Sequence, residues 1–312
     1  MNTPENNNES PFHEGEISIQ QKLGVAQAMD RFGRRVIRDY MPDQHREFFE
    51  NLSYIVLGGV DDQDRPWASF LMSESGFVSS PDPKTLVINE GLQEGDPLKE
   101  QLHKGSDLGL LGIDLATRRR NRLSTVIQDS TQHQMTLSVK QSFGNCPKFI
   151  SVRQIGESNL HPKTLEISRQ DLKEEMRRII SDADTFFIAS GYQGAKESPS
   201  SGADVSHRGG QPGFVEIEGN QLIFPDYRGN NHFNTLGNLI KNPKAGLTFL
   251  DFKNSSILYL TGQAFIDFEL NSIYASQGAE RVIRFRCEEA RLLRHWLRKG
   301  FVEAGIRNPK SN

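Results

Sequence analysis

Cysteine is scarce in this chain. Cys146 and Cys287 are the only two among 312 residues, and they lie far apart. A disulfide framework and a cysteine-rich metal site lose support, and a reducing compartment, the cytoplasm, fits this usage best. An excess of charge of one sign is also missing. Thirty-seven Lys and Arg stand against 40 Asp and Glu, a net charge of −3, so no global basic field points to nucleic acid or an anionic membrane. No apolar run approaches the roughly 20 residues of a membrane helix. The N-terminal MNTPENNNESPFHEGE has neither a basic nor an apolar signal region and reads as a tail or an extended arm. No P-loop, Gly-x-Gly-x-x-Gly, His-Glu-x-x-His or Gly-x-Ser-x-Gly signature occurs. The eight histidines show no metal-ligand spacing.

What is present is a series of short strand-like runs punctuated by turn residues. Residues 20–39 and 169–180 carry apolar residues at helical spacing, and Ser168 or Asp171 is placed to cap the second. Strands are expected at 54–60, 67–72, 85–89, 107–114, 122–127 and 135–142, with a short helix opening at Asp96-Pro97. The pattern restarts with strands at 186–190, 213–218, 221–225, 245–252 and 257–265, and a helix over 233–240. Glu218-Gly219-Asn220-Gln221 is a tight hairpin signal. Residues 281–300 read as a basic helix with Leu292, Leu293, Trp296 and Leu297 on its apolar side. The two halves repeat one order of elements, and Leu108–Asp114 echoes Ala245–Asp251. The expected fold is therefore mainly β, two β-barrels in tandem with flanking helices. Its units are 1–40 (tail and helix), 41–165 (first, diverged barrel), 166–268 (second barrel) and 269–312 (helical tail).

The richest segment runs from Asp204 to Asn238. Arg208-Gly209-Gly210 precedes the 213–225 hairpin, and Asp226-Tyr227-Arg228-Gly229-Asn230-Asn231 follows it. A hairpin folds its outer ends together, so both clusters meet at one end of a barrel. Glycines admit close backbone approach, amides donate hydrogen bonds and arginine neutralises charge, a combination suited to a phosphate-bearing ligand. Gly-Gly, Pro-Gly and Arg-Gly-Asn-Asn are also ordinary turn chemistry, and spacing alone leaves both readings open. His207 and His232 are the histidines of this segment, and a loop histidine more often hydrogen-bonds than catalyses. Thr117–Arg122 holds four arginines around Asn121, either a solvated turn or an anion site. Cys146 reads as a small buried hydrophobe rather than a reactive thiol.

Val205-Ser-His-Arg-Gly-Gly-Gln-Pro-Gly-Phe-Val215, Phe224-Pro-Asp-Tyr-Arg-Gly-Asn-Asn-His-Phe-Asn-Thr-Leu-Gly-Asn238, Asn242-Pro243 and Gly246-Leu-Thr-Phe-Leu-Asp-Phe252 together resemble the pyridoxamine 5′-phosphate oxidase-like FMN-binding split-barrel family. The likeness is to its two-barrel branch, which Ile113–Arg122 and Gly144–Ile150 also resemble. It covers roughly residues 40–268. It implies tandem split β-barrels with FMN at their interface, an oxidoreductase activity on a small substrate or electron donor, and a tandem that mimics the dimer of single-barrel relatives while leaving homodimerisation open. By position it implies that Gly213, Phe214 and Val215 lie along the isoalloxazine, with Ser206 and Arg208 at the flavin or its phosphate. Asp226, Tyr227 and Arg228 would follow the ribityl chain, and Asn230, Asn231 and Asn234 would reach the phosphate. The short vitamin B6 enzymes carry an Arg-Lys pair where this chain reads Asn231-His232. The phosphate charge must then fall to Arg208, Arg228 or the other barrel, where Arg120 and Asn121 are the first candidates. No side chain stands out as an acid or base, which leaves a non-catalytic flavin carrier or sensor, or an emptied barrel kept for assembly, as alternatives.

Overall fold

The structure is a computed structural model and describes residues 10–156, 163–169, 171–194, 198–269, 274–275 and 278–303. Three helices come first: α1 (Glu14–Lys22), α2 (Ala26–Val36) and α3 (Asp43–Glu50). The single helix expected over 20–39 is broken at Leu23-Gly24-Val25, where Gly24 adopts φ +70°, a conformation that strains any residue with a Cβ. His13 starts α1 with a reciprocal cap. Its Nδ1 accepts from the Gly15 amide at 3.1 Å, and Glu16 Oε2 accepts from the His13 amide at 2.7 Å.

The first sheet contains β1 (Tyr54–Val60), β2 (Pro66–Met72), β3 (Val78–Asp82), β4 (Thr85–Ile88), β5 (Asp107–Asp114), β6 (Arg119–Ser130) and β7 (Met135–Gly144). Between the halves lie β8 (Arg153–Gly156), β9 (Thr164–Arg169) and α4 (Glu174–Asp182). The second half holds β10 (Thr185–Tyr192), β11 (Gly202–Gly209), β12 (Glu216–Glu218), β13 (Gln221–Tyr227), α5 (Asn234–Lys241), β14 (Lys244–Asp251), β15 (Ser256–Asp267), β16 (Ala279–Arg294) and β17 (Gly300–Glu303). The spatial orders are β2-β1-β5-β6-β7-β4-β3 and β11-β10-β14-β15-β16-β13-β12, all antiparallel; β9 joins β16, and β17 pairs with β8. Strand for strand the two orders are the same permutation, so the expected tandem repeat is present.

Several expectations need correction. Residues 281–300 are not a helix: most of them form β16, the strand that joins β13 to β15. Its Ile283, Phe285 and Cys287 alternate inward between outward arginines, and two neighbouring strands complete its hydrogen bonds. Residues 202–209, where no strand was expected, are β11, while the strand expected over 213–218 shortens to β12. Asp96–Leu102 forms turns rather than a helix. Finally, α4 starts only at Glu174 and lacks a side-chain cap; Ser168 Oγ instead donates to the Asp171 carbonyl at 2.6 Å.

Inward residues of five strands converge on one core in the second barrel: Phe186 and Ile188, Leu222 and Phe224, Leu247 and Phe249, Leu258 and Leu260, Ile283 and Phe285. The Phe186 ring lies 4.9 Å from Phe224, 5.0 Å from Phe249 and 5.7 Å from Phe214. Burying one such ring contributes about 1.5–3 kcal/mol. The first core continues across the seam between barrels and includes Phe187, Val205, Ile257 and Tyr259 of the second half. Two related glycines let the backbones meet there. A Cβ on Gly109 (β5) would fall 2.7 Å from Asp204 Cα, and one on Gly246 (β14) would collide with the Pro66 carbonyl. Thr261 Oγ1 donates across the same seam to Pro66 O at 2.9 Å.

Candidate functional site

A cleft opens where β6 and the residues after β7 of the first barrel face β11, β13 and α5 of the second. It encloses about 950 Å³ of space, its open mouth included. Both polar clusters singled out in the sequence reach it. Ser206 and Arg208 come from β11, Asp226 and Tyr227 from the end of β13, Arg228, Asn230 and Asn231 from the loop beyond, and Asn234 from the start of α5. Arg120 joins them from the first barrel, and Phe214 lines the wall. Gly213, Val215 and Asn121 do not line the cleft. Gly213 donates its amide to Ser181 O at 2.8 Å, Val215 is buried in the second core, and Asn121 is buried within β6.

The cleft wall is cationic. Arg120, Arg122, Lys148, Arg208, Arg228 and Arg281 line it against one carboxylate, Asp226. That carboxylate is held between two arginines, Arg208 Nη1 at 2.5 Å and Arg281 Nη2 at 2.9 Å. Arg122 pairs with Asp204 and donates to Asn234 Oδ1 at 3.3 Å. Arg120 has no carboxylate partner among the described residues. Its Nε donates to Cys146 O at 2.8 Å and its Nη1 to His207 Nδ1 at 3.1 Å. Burial, with neighbouring arginines, pulls Arg120 down to about 10 and Arg122 to about 9; both stay cationic at neutral pH. Burial, then the fields of Arg120, Arg208 and Arg153, holds His207 well below the usual imidazole range, so it is neutral. Asn231 and Phe233 both take positive φ, at 60° and 62°, to turn the chain into α5. Phe233 offers no side-chain cap to the first turn of α5, whose Asn234, Thr235 and Leu236 line the cleft. Arg208 Nε and His207 Nε2 are buried donors without a hydrogen-bond partner among the described residues, which suits a ligand acceptor.

The N-terminal helices brace this corner. Gln20 Nε2 donates to the Asn231 and His232 carbonyls at 3.4 and 3.3 Å, and Asn234 Nδ2 donates to Glu16. Burial raises Glu16 to about 8 against the opposing pull of hydrogen bonds from His13 and Asn234 and the field of Arg122. His232 sits among Phe12, Phe32 and Phe143, with ring centroids 5.4, 5.9 and 5.7 Å away.

The repeat allows a comparison within the chain. Superposing the hairpin turns Asp114↔Arg119 and Asp251↔Ser256 sets Arg120 against Ile257 and Arg122 against Tyr259. Following the next strands sets Asp204 against Trp67, Ser206 against Ser69, His207 against Phe70 and Arg208 against Leu71. Where Ser206 Oγ meets Thr235 Oγ1 at 2.9 Å, Ser69 Oγ donates to Asp96 Oδ2 at 2.5 Å. Tyr259 Oη donates to the same oxygen at 3.0 Å and the Leu98 amide to Oδ1 at 2.9 Å. Burial raises the Asp96 pKa, partly offset by these hydrogen bonds. Trp67, Phe70, Leu71, Ile257 and Tyr259 are all buried, so the twin of the cleft is packed with the protein's own side chains.

Sequence reasoning passed over Arg281, Lys148 and Phe149 as site residues. Arg281 was hidden inside the expected helix, while the 145–150 segment reaches the cleft only through the packing of one barrel on the other. A wider depression of about 1340 Å³ surrounds His103 and His133 on the first barrel. Its Lys99 and Arg298 are spent on Glu94 and Glu90. Among the described residues no cluster of His, Cys, Asp and Glu suits a metal ion, and no helix is long and apolar enough to cross a membrane.

No family model and no curated protein matches this chain. Similar solved structures include HupZ of Group A Streptococcus, 15% identical over 37% of this chain and 89% of its own, with a TM-score of 0.29. A Clostridium acetobutylicum protein related to general stress protein 26, of the pyridoxinephosphate oxidase family, is 14% identical over 41% of this chain and 92% of its own, at 0.28. The heme storage protein HutZ of Vibrio cholerae is 12% identical over 44% and 96%, at 0.24. Each corresponds to less than half of this chain. The strand order repeated in its two halves makes the chain a tandem split-barrel protein, the fold of the pyridoxamine 5′-phosphate oxidase-like family that its sequence resembles.

Proposed function

We propose that the chain binds FMN in the inter-barrel cleft and acts as an FMN-dependent oxidoreductase. One observation carries the reading. Two separate polar clusters and an arginine-bearing strand of the other barrel line a single cleft beside the uncapped start of α5. Cations, helix amides and unsatisfied donors fit a phosphate group, and the aromatic wall of Phe214 fits a planar ring. In this reading Arg120, Arg208 and the first amides of α5 hold the phosphate, with Ser206, Asn230, Asn231 and Asn234 around it. Arg120 stands in for the missing Arg-Lys pair. When bound, the flavin would supply the hydride or electron chemistry, and the chain supplies binding, orientation and charge. Asp226 is already engaged by two arginines, and burial among arginines holds His207 neutral. Gly213, Val215 and Asn121 act behind the cleft wall rather than on the ligand.

The test is the visible spectrum of freshly purified protein, followed by titration with FMN. Flavin bands, or saturable uptake lost in Arg208→Ala with Asn230→Ala, support the reading. A colourless protein that takes up no FMN sinks it.

A further inference from the structure

Behind the cleft lies a second, smaller chamber. It encloses about 340 Å³ of space, its opening included, and His13, Glu16, Ser124, Gln141, Asp204 and Asn234 are among its lining. Asn234 lines both spaces and so forms part of the wall between them. The N-terminal arm closes the chamber. Gln141 Nε2 donates to Pro11 O at 2.9 Å, and Gly15 lies so near Gly237 that a Cβ on either would collide with the other's segment. This packing buries the Glu16 carboxyl against the first turn of α5. Asn234 is held at both ends of its amide. Its Nδ2 donates to Glu16 Oε1, and its Oδ1 accepts from Arg122 Nη1 at 3.3 Å. A chain of hydrogen bonds therefore runs from an arginine of the cleft wall to a carboxyl that lies outside the cleft lining.

The groups around Glu16 decide its charge. On its own arm, His13 Nε2 lies 3.6 Å from Oε2, and burial lowers that imidazole to about 4, so it is uncharged at neutral pH. Glu14 is turned away, onto Lys241 at 3.0 Å and Tyr192 at 2.5 Å. β6 brings Arg122 and β11 brings Asp204, and these two pair with each other. The loop before α5 brings His232, which burial keeps neutral. The field of Arg122 is what remains to favour a charged Glu16, and burial outweighs it, raising the carboxyl to about 8. An ionised Glu16 and an anion in the cleft would both draw on Arg122, so each opposes the other. We infer that Glu16 is a positioning residue of the cleft: through Asn234 and Arg122 it sets how tightly an anionic group is held, and binding of that anion makes Glu16 take up a proton. The identity of the anion as the FMN phosphate rests on the FMN reading; the linkage itself needs only an anion beside Arg122.

The experiment titrates the full chain with FMN, and in parallel with inorganic phosphate, at several pH values. Calorimetry in buffers of different ionisation heat counts the protons taken up. If the anion raises the Glu16 pKa by one unit, affinity should fall about threefold between pH 7 and about 8.5, with about half a proton bound per ligand at the upper pH. The phosphate of FMN titrates near 6 and adds no step in that range. Arg122, lowered to about 9, adds its own loss at higher pH. Glu16→Gln separates the two: it should remove the step near 8 and the Glu16 proton while leaving the loss that belongs to Arg122. Glutamine at this position also preserves the reciprocal cap of α1. The same pH profile and the same proton uptake in wild type and variant overturn the inference. Should the variant not fold, carbon-13 NMR of the wild-type glutamate carboxyls decides; a carboxyl titrating near 8 that the ligand moves upward supports the inference, and its absence overturns it. If FMN does not bind but phosphate shows the Glu16-dependent uptake, the flavin reading falls and the role of Glu16 stands. If neither anion binds, both fall.

Discussion

Arg120→Met should make the empty protein no less stable while weakening FMN. Burial pulls the guanidinium from its ordinary value to about 10. Arg120 is charged in both the folded and unfolded states at pH 7, so folding bears the cost of desolvating it. At about 1.4 kcal/mol per pH unit, that cost is on the order of 3 kcal/mol. Methionine removes it, but also removes the bonds to Cys146 O and His207 Nδ1, each contributing roughly 1 kcal/mol. The net expectation is a gain of about 1 kcal/mol, or about 2 °C in the melting temperature. The depressed pKa also sets a direction with pH: the wild-type penalty is full below pH 10 and fades above it, and the variant lacks that dependence. FMN affinity should fall at least tenfold, the loss of one charged contact to phosphate. Thermal melts of the FMN-free protein and quenching of FMN fluorescence measure the two effects. A destabilised variant with unchanged FMN affinity would refute the reasoning, since Arg120 would then be a structural cation.

Three more outcomes are expected. FMN titration should saturate at one per chain, because the twin position is packed by Trp67, Phe70, Leu71 and Tyr259 around Asp96; two per chain would show that this packing opens. Burial lowers His13, His45 and His232 to about 4, so the unfolded state takes up protons first and stability should fall as pH drops from about 6.5 toward 4. His232→Phe loses no hydrogen bond, as neither ring nitrogen has a partner among the described residues, and should be about 2 kcal/mol more stable than wild type at pH 5 relative to pH 7; an unchanged pH slope in denaturant titrations would count against the buried neutral imidazole. Gly109→Ala should destabilise by about 1–3 kcal/mol through overpacking and weaken FMN, because the new Cβ presses on Asp204, the partner of Arg122; full FMN affinity in the variant would separate the seam from the site.

The strands β1 and β5 are legible in the sequence to the residue, because apolar runs there end at Asp, Gly or Pro turns. The repeat is legible for the same reason. β16 is not: its arginines between Ile283, Phe285, Leu292 and Leu293 satisfy a helical pattern and an alternating one equally, and only pairing with β13 and β15 decides between them. β11 looks like a loop because Ser, His, Arg and Gly dominate it, residues that a strand tolerates when its side chains face a polar cleft. Arg208 and Asp226–Asn231 were legible as neighbours in one cleft because hairpin geometry alone brings them together. The nearness of Arg120, Lys148 and Phe149 depends on how one barrel sits on the other, which no local pattern encodes.

The packed twin has a consequence for how this molecule can change. In a symmetric pair of identical barrels every substitution is made twice, once in each copy of a site. Here Arg122 and Tyr259 hold the same place in the two halves with unlike chemistry, so a substitution is felt once. The half that lends Arg120 and Arg122 can change the lining of the cleft while its own equivalent position, built on Asp96, changes only the packing. Selection or an engineer can therefore alter the cleft and the packed twin through different residues of one chain.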